Sequence, residues 1–94
     1  MIFSHLIFFY TCPLFEAVKL ENLEILQLLL ANPKIDVNSQ TFYTNRMTPL
    51  HLACKHGNYE IVDLLLQNES ININAMTYDH ATPFYYACKK GFIN

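Results

Sequence analysis

The chain predicts an all-α solenoid: a stack of small helix–turn–helix units joined by extended fingers. Two observations carry that prediction. A ten-residue phrase, Thr48-Pro49-Leu50-His51-Leu52-Ala53-Cys54-Lys55-His56-Gly57, recurs in degraded form from Cys12 upstream and from Thr82 downstream. Its prolines, Pro13, Pro49 and Pro83, stand 49 − 13 = 36 and 83 − 49 = 34 residues apart. The remainder of the unit repeats in the same register. Asn22 to Leu30 matches Asn58 to Leu66, and Ile35 to Asn38 matches Ile71 to Asn74, each at an offset of 36. Agreement through most of a unit at a nearly fixed period is the signature of stacked supersecondary units that share one continuous core.

Each element of the middle unit has a local reason. Thr48 suits an N-cap, because its hydroxyl can accept from the free N–H groups of the first turn, and Pro49 suits the first helical position, where a missing N–H costs nothing. Leu50, Ala53 and Cys54 then share one face at i, i+3 and i+4, and the small Ala and Cys let a neighbouring helix come close. Gly57 ends the helix in a left-handed conformation, as Gly91 does in the third unit; Glu21 stands at that corner in the first, which predicts a looser turn there. A second helix is expected from about Asn58 to Gln67, with Ile61, Leu64 and Leu65 as its apolar stripe and Val62 and Leu66 widening it. Glu60 and Asp63 are left for its solvent side, matched by Glu24 and Gln27 in the first unit. Ser39 to Met47 and Ala75 to Ala81 are the expected fingers, the first two residues longer, with Asn45 and Asp79 suited to turns of positive φ.

The Thr48-Pro49-Leu50-His51-x-Ala53 phrase, its closing glycine and the period together resemble the ankyrin repeat. The likeness covers roughly residues 11–94, divided at about 11–46, 47–80 and a truncated 81–94. Phe15 and Tyr85 stand where that family has its histidine, and Cys12 where it has threonine. The resemblance implies structural roles for Thr48, Pro49, Leu50, His51, Ala53 and Gly57, and for their counterparts Thr82, Pro83, Ala87 and Gly91. It further implies non-catalytic binding of a partner protein, through finger residues Asn45, Arg46, Met47, Tyr78, Asp79 and His80 and first-helix residues Lys55, His56, Lys89 and Lys90. Lys19, Lys55 and Lys89 occupy one repeat position and predict a column of ammonium groups opposite the Glu24 and Glu60 column. A binding role for the lysines implies a partner with an acidic surface. A solvated face that keeps the array dissolved is the competing reading.

Composition narrows the function classes. Ninety-four residues with 52% hydrophobic and 15% charged side chains make one small domain. A net charge of −2 argues against a general nucleic-acid binder. The cysteines, Cys12, Cys54 and Cys88, have no zinc-type spacing and are odd in number, so neither a metal site nor a disulfide framework is predicted. Cys54 and Cys88 are expected as small buried core residues, and reduced thiols suit a cytoplasmic setting. No nucleophile elbow, phosphate loop or carboxylate pair is present, so no enzyme and no cofactor are predicted. Residues 1–10 form an apolar run without the basic start and small-residue cleavage site of a signal peptide, and the run is too short to span a bilayer. They are expected to be the remnant of a preceding repeat or a start inside a longer gene, with an uncleaved targeting segment as the competing reading. The alternatives are an interfacial membrane anchor, and a chain that is a scaffolding piece of a longer array.

Overall fold

A computed structural model describes residues 12–91. The apolar run at 1–10, and the reading of it as a repeat remnant, lie outside the described residues. Five helices and no strands occur among them. Helix α1 is Pro13–Leu20, α2 Leu23–Leu30, α3 Pro49–His56, α4 Tyr59–Leu66 and α5 Pro83–Lys90. The all-α architecture expected from the repeat is therefore present.

The two helix types start differently. Each first helix (α1, α3, α5) has proline in its first turn and a side chain ahead of it that accepts from the third helical N–H: Cys12 Sγ from Phe15, Thr48 Oγ1 from His51, and Thr82 Oγ1 from Tyr85. Each second helix (α2, α4) is capped by asparagine, Asn22 Oδ1 accepting from Ile25 and Asn58 Oδ1 from Ile61. The N-cap asparagine is also the residue after the left-handed corner, so a two-residue turn suffices to fold α4 back on α3.

The corner after α1 corrects one expectation. Glu21 closes it in the same left-handed conformation as the glycines, at φ 56° against 71° for Gly57 and 82° for Gly91. Its N–H donates to the carbonyls of Ala17 and Val18, as the Gly57 N–H does to Ala53 and Cys54. The side chain is also held: Asn58 Nδ2 donates to Glu21 Oε1 at 3.0 Å, tying the first corner to the second. The turn is as tight as the others because this contact with the next unit secures a residue that sterics alone disfavour.

First helices pack in a row, α1 on α3 and α3 on α5, with each second helix behind its own first helix. Ala17, Ala53 and Ala87, at one repeat position, are all buried, which lets the row close up. Val18, Leu26, Ile61 and Leu65 fill the space between the two layers. In α4 the buried face is Ile61, Val62 and Leu65; Leu66, expected to widen the stripe, is 48% exposed because it lies beyond the cover of the flanking units. Cys88 also departs from expectation. Cys54 is buried against α4, whereas among the described residues no second helix stands behind α5, and Cys88 is exposed.

Between units the backbone is held by repeated asparagine and aspartate turns. Asn32, Asp36, Asn68 and Asn72 each accept, through Oδ1, the N–H two residues on. Asn38 crosses to the next unit, donating to the Ser70 carbonyl at 2.8 Å and accepting from the Asn72 N–H at 2.7 Å.

Both fingers are closed by backbone bonds. Thr41 N–H donates to Met47 O and Met47 N–H to Thr44 O in the first; Thr77 N–H donates to Ala81 O and His80 N–H to Thr77 O in the second. Positive φ falls on Asn45, Arg46 and His80. Asp79, expected to take that role, instead accepts from Thr77 Oγ1 and Asn45 Nδ2. Met47 was expected on the exposed finger, but it is buried at 5% exposure, since the two bonds through its backbone fix it at the finger base against the core.

Candidate functional site

The row of first helices forms the floor of a shallow trough, and the first finger forms a wall. Its larger depression, about 420 Å³, runs from Phe15 and Lys19 on α1 across Leu52, Lys55 and His56 on α3 to Tyr86 on α5, with Thr44, Asn45 and Met47 on the finger side. A second depression of about 190 Å³ adjoins it, lined by Lys55, Tyr86, Lys89 and Lys90. Lys55 and Tyr86 belong to both, so the two form one surface along all three units.

The floor is apolar and the rim cationic. Phe15, Met47 and Leu52 are buried, and so they present only their tops to the trough. Lys19, Lys55, His56, Lys89 and Lys90 are exposed. Lys89 Nζ lies 5.8 Å from the Tyr85 ring centroid, a cation–π contact, and the Lys90 stem passes over Gly57, where a Cβ would meet it at 3.1 Å. Neither depression has a carboxylate in its lining. Among the described residues no carboxylate is paired with these ammonium groups. Glu16 shares the repeat position of Leu52 and Tyr86 but is engaged, accepting from Tyr43 Oη at 3.0 Å. Burial, and then the adjacent Glu16 carboxylate, push the Tyr43 phenol up to about 12. Since Tyr43 is 49% exposed, the hydrogen bond to Glu16 is the firmer of those two causes.

His51 lies beneath the trough and holds its shape. Its Nε2 is 2.9 Å from the Ala81 carbonyl, which can only accept, so Nε2 carries the proton. Its Nδ1 then accepts from the Thr48 N–H at 3.0 Å and from Thr48 Oγ1 at 2.7 Å. Both ring nitrogens are used, and the side chain is fully buried. Burial lowers its pKa from the ordinary histidine value, so the neutral ring is favoured. This histidine is spent on tying the α3 N-terminus to the second finger and has no lone pair left for a metal or a substrate proton.

The residues expected to bind a partner divide into two groups. Lys55, His56, Lys89, Lys90 and Asn45 come together on the trough. Arg46, Tyr78, Asp79 and His80 lie outside it, at the finger tips. There Asn45 Nδ2 donates to Asp79 Oδ1 at 2.9 Å, Tyr78 N–H donates to the Asn45 carbonyl, and Arg46 sits 5.5 Å from the Tyr78 ring centroid. Gln40 adds a bond to the Met76 carbonyl, lacing the first finger to the second. These tips are bonded to one another, and their exposed faces lie beside the trough, joined to it through Asn45, which lines the trough and donates to Asp79. Met47 contributes to the trough floor and not to an exposed tip. The floor residues Phe15, Leu52 and Tyr86 were missed, because attention to polar positions passes over them. The available signal was register: Leu52 and Tyr86 share a repeat position one residue before the alanine row.

A family model described as ankyrin repeats (3 copies) matches residues 12–94. The chain belongs to the ankyrin-repeat family. Repeats of this family generally serve as protein-interaction modules and are typically non-catalytic. A search of curated proteins found no match. Among the described residues no helix is long and apolar enough to cross a membrane, and no group of three or more His, Cys, Asp or Glu side chains is placed to hold a metal ion.

Proposed function

We propose that this ankyrin-repeat chain binds a partner protein on the trough, with the first helices as floor and the first finger as wall. One observation carries the reading: a concave, apolar-floored surface spans three units and is rimmed by ammonium groups that no carboxylate of the described residues neutralises. The structure beneath it is rigid where it needs to be. His51, Asn38 and Gln40 each bond across a unit boundary, so the surface is formed before a partner arrives and little ordering cost opposes binding. The exposed finger tips, with Arg46, Tyr78, Asp79 and His80, extend the surface at one edge.

The test compares two variants as affinity baits. Lys55, Lys89 and Lys90 are changed together to Glu in one, and Glu24 and Glu60 to Lys in the other. Partners captured by the wild-type chain are expected to be lost with the first variant and kept with the second, both variants remaining helical by circular dichroism. Loss with the second-helix variant alone would place binding on the opposite face and leave the lysines as a solvated stripe.

A further inference from the structure

The trough also specifies the form of what it binds, given the reading just proposed. Lys19, Lys55 and Lys89 come from the same position of three stacked first helices, and packed helices lie about 8–10 Å apart. The rim therefore offers a positive charge about every 8–10 Å along the stack. An extended peptide advances about 3.3 Å per residue, so its every third residue meets a lysine. A helical peptide, at about 1.5 Å per residue, would meet one only every sixth residue or so, and its girth of about 10 Å does not suit a shallow trough with a finger on one side.

The floor adds a second condition. The larger depression reaches from Lys19 past Lys55 to Tyr86, but its buried apolar floor, Phe15, Met47 and Leu52, belongs to α1, the finger base and α3, on the Lys19 to Lys55 side. Its volume of about 420 Å³ admits a leucine-sized side chain. The smaller depression, between Lys55 and the Lys89–Lys90 pair, is lined by cations and Tyr86 alone. An apolar side chain thus has a seat in only one of the two intervals.

We propose that the trough takes an extended peptide segment of a partner, with carboxylates at every third position and one aliphatic side chain between an outer carboxylate and the middle one. The carboxylates sit at Lys19, Lys55 and Lys89–Lys90. The aliphatic side chain rests on Leu52 and Met47. The electrostatic part is screened by salt over about 8 Å at physiological ionic strength. The apolar part is not.

Three fluorescein-labelled peptides test this by anisotropy against the whole chain. The first has glutamate at every third position with a leucine between the first two, serine elsewhere. The second replaces the leucine by serine. The third keeps the first peptide's composition but clusters its glutamates. The first is expected to bind, and to weaken at least tenfold in 0.5 M salt and at least tenfold against the Lys55, Lys89 and Lys90 to Glu variant. Loss of the leucine is expected to weaken binding about tenfold or more, the effect of burying one aliphatic side chain. Clustering the glutamates should cost a similar factor. Equal binding of all three peptides would overturn the inference and leave a generic cationic surface. No binding of the first peptide up to millimolar concentration would also overturn it. The bait comparison above separates these failures from failure of the trough itself, because it does not depend on the peptide's form.

Discussion

Replacing His51 by Phe tests the link between the sequence phrase and the shape of the binding surface. The first unit shows that the position accepts the ring, since Phe15 occupies it fully packed. In the middle unit, however, the change removes the acceptor of the Thr48 N–H and hydroxyl and the donor to the Ala81 carbonyl. Thr48 is 1% exposed, so water cannot replace its partner. A buried polar group left unpaired costs about 1–3 kcal/mol. The Ala81 carbonyl keeps the Thr77 N–H as a donor, so the two groups on Thr48 dominate and put the loss at about 3 kcal/mol. At a urea dependence of about 1 kcal/mol per M for a domain of this size, the midpoint should fall by roughly 3 M, or the chain should be unfolded from the start. The pH dependence gives an independent arm. Burial lowers the folded-state pKa of His51, so below about 6.5 the unfolded chain takes up a proton that the folded chain refuses. Stability is fully present above that pH and declines as pH falls toward the folded pKa, by at most about 1.4 kcal/mol per pH unit. The Phe variant lacks that contribution. A midpoint within about 0.5 M of wild type, or an identical fall between about pH 6.5 and 5, would refute the assignment of His51 as the tie between α3 and the second finger.

Three further outcomes follow from the packing. Leu65→Ala, at a fully buried position between the two layers, should cost about 2–5 kcal/mol in a denaturant melt, and a cost below 1 kcal/mol would mean that the layers are not closely packed. Gly57→Ala and Gly91→Ala should each lose about 1 kcal/mol from the left-handed backbone. Gly57→Ala should lose somewhat more, because its Cβ must displace the Lys90 stem while Gly91 faces open space; equal melts would show that the stem moves freely. Burial pushes the Cys54 thiol up to about 11, and Cys12 is buried while Cys88 is exposed. A thiol reagent at pH 8 should therefore label Cys88 rapidly and the other two only on unfolding, and rapid labelling of a Cys88→Ser variant would contradict that burial.

Much of this architecture was legible because the unit carries its own punctuation. Thr48, Pro49 and Gly57 set the ends of α3 by local chemistry alone, and the 36-residue offset carried α1 and α2 with α3 and α4. What escaped depended on neighbours. Glu21 takes a left-handed corner because Asn58, from the next unit, holds its carboxylate. Cys88 is exposed although Cys54 is buried, because the two differ in what lies behind them and not in their own surroundings in sequence. The site was half legible. The lysines announced themselves by charge and register, whereas Leu52 and Phe15 look like any core residue until the row of helices leaves their tops uncovered. Met47 went the other way: its place in a polar finger suggested exposure, and only the pair of backbone bonds at the finger base reveals that it turns inward.

Every helix among the described residues has eight residues, about two turns, and helices that short do not persist alone in water. Amide exchange should therefore follow neighbourhood and not helix length or composition. The middle helix α3, with a helix on either side and α4 behind it, should keep its backbone protons longest, and protection should grade away toward α1 and α5. Lys55 and His56 lie on that segment, whereas Lys89 and Lys90 lie on a helix expected to exchange faster. The two ends of one cationic surface would then differ in exchange rate although both stand formed in the native state, and a partner lying across them should slow exchange most at the α5 end.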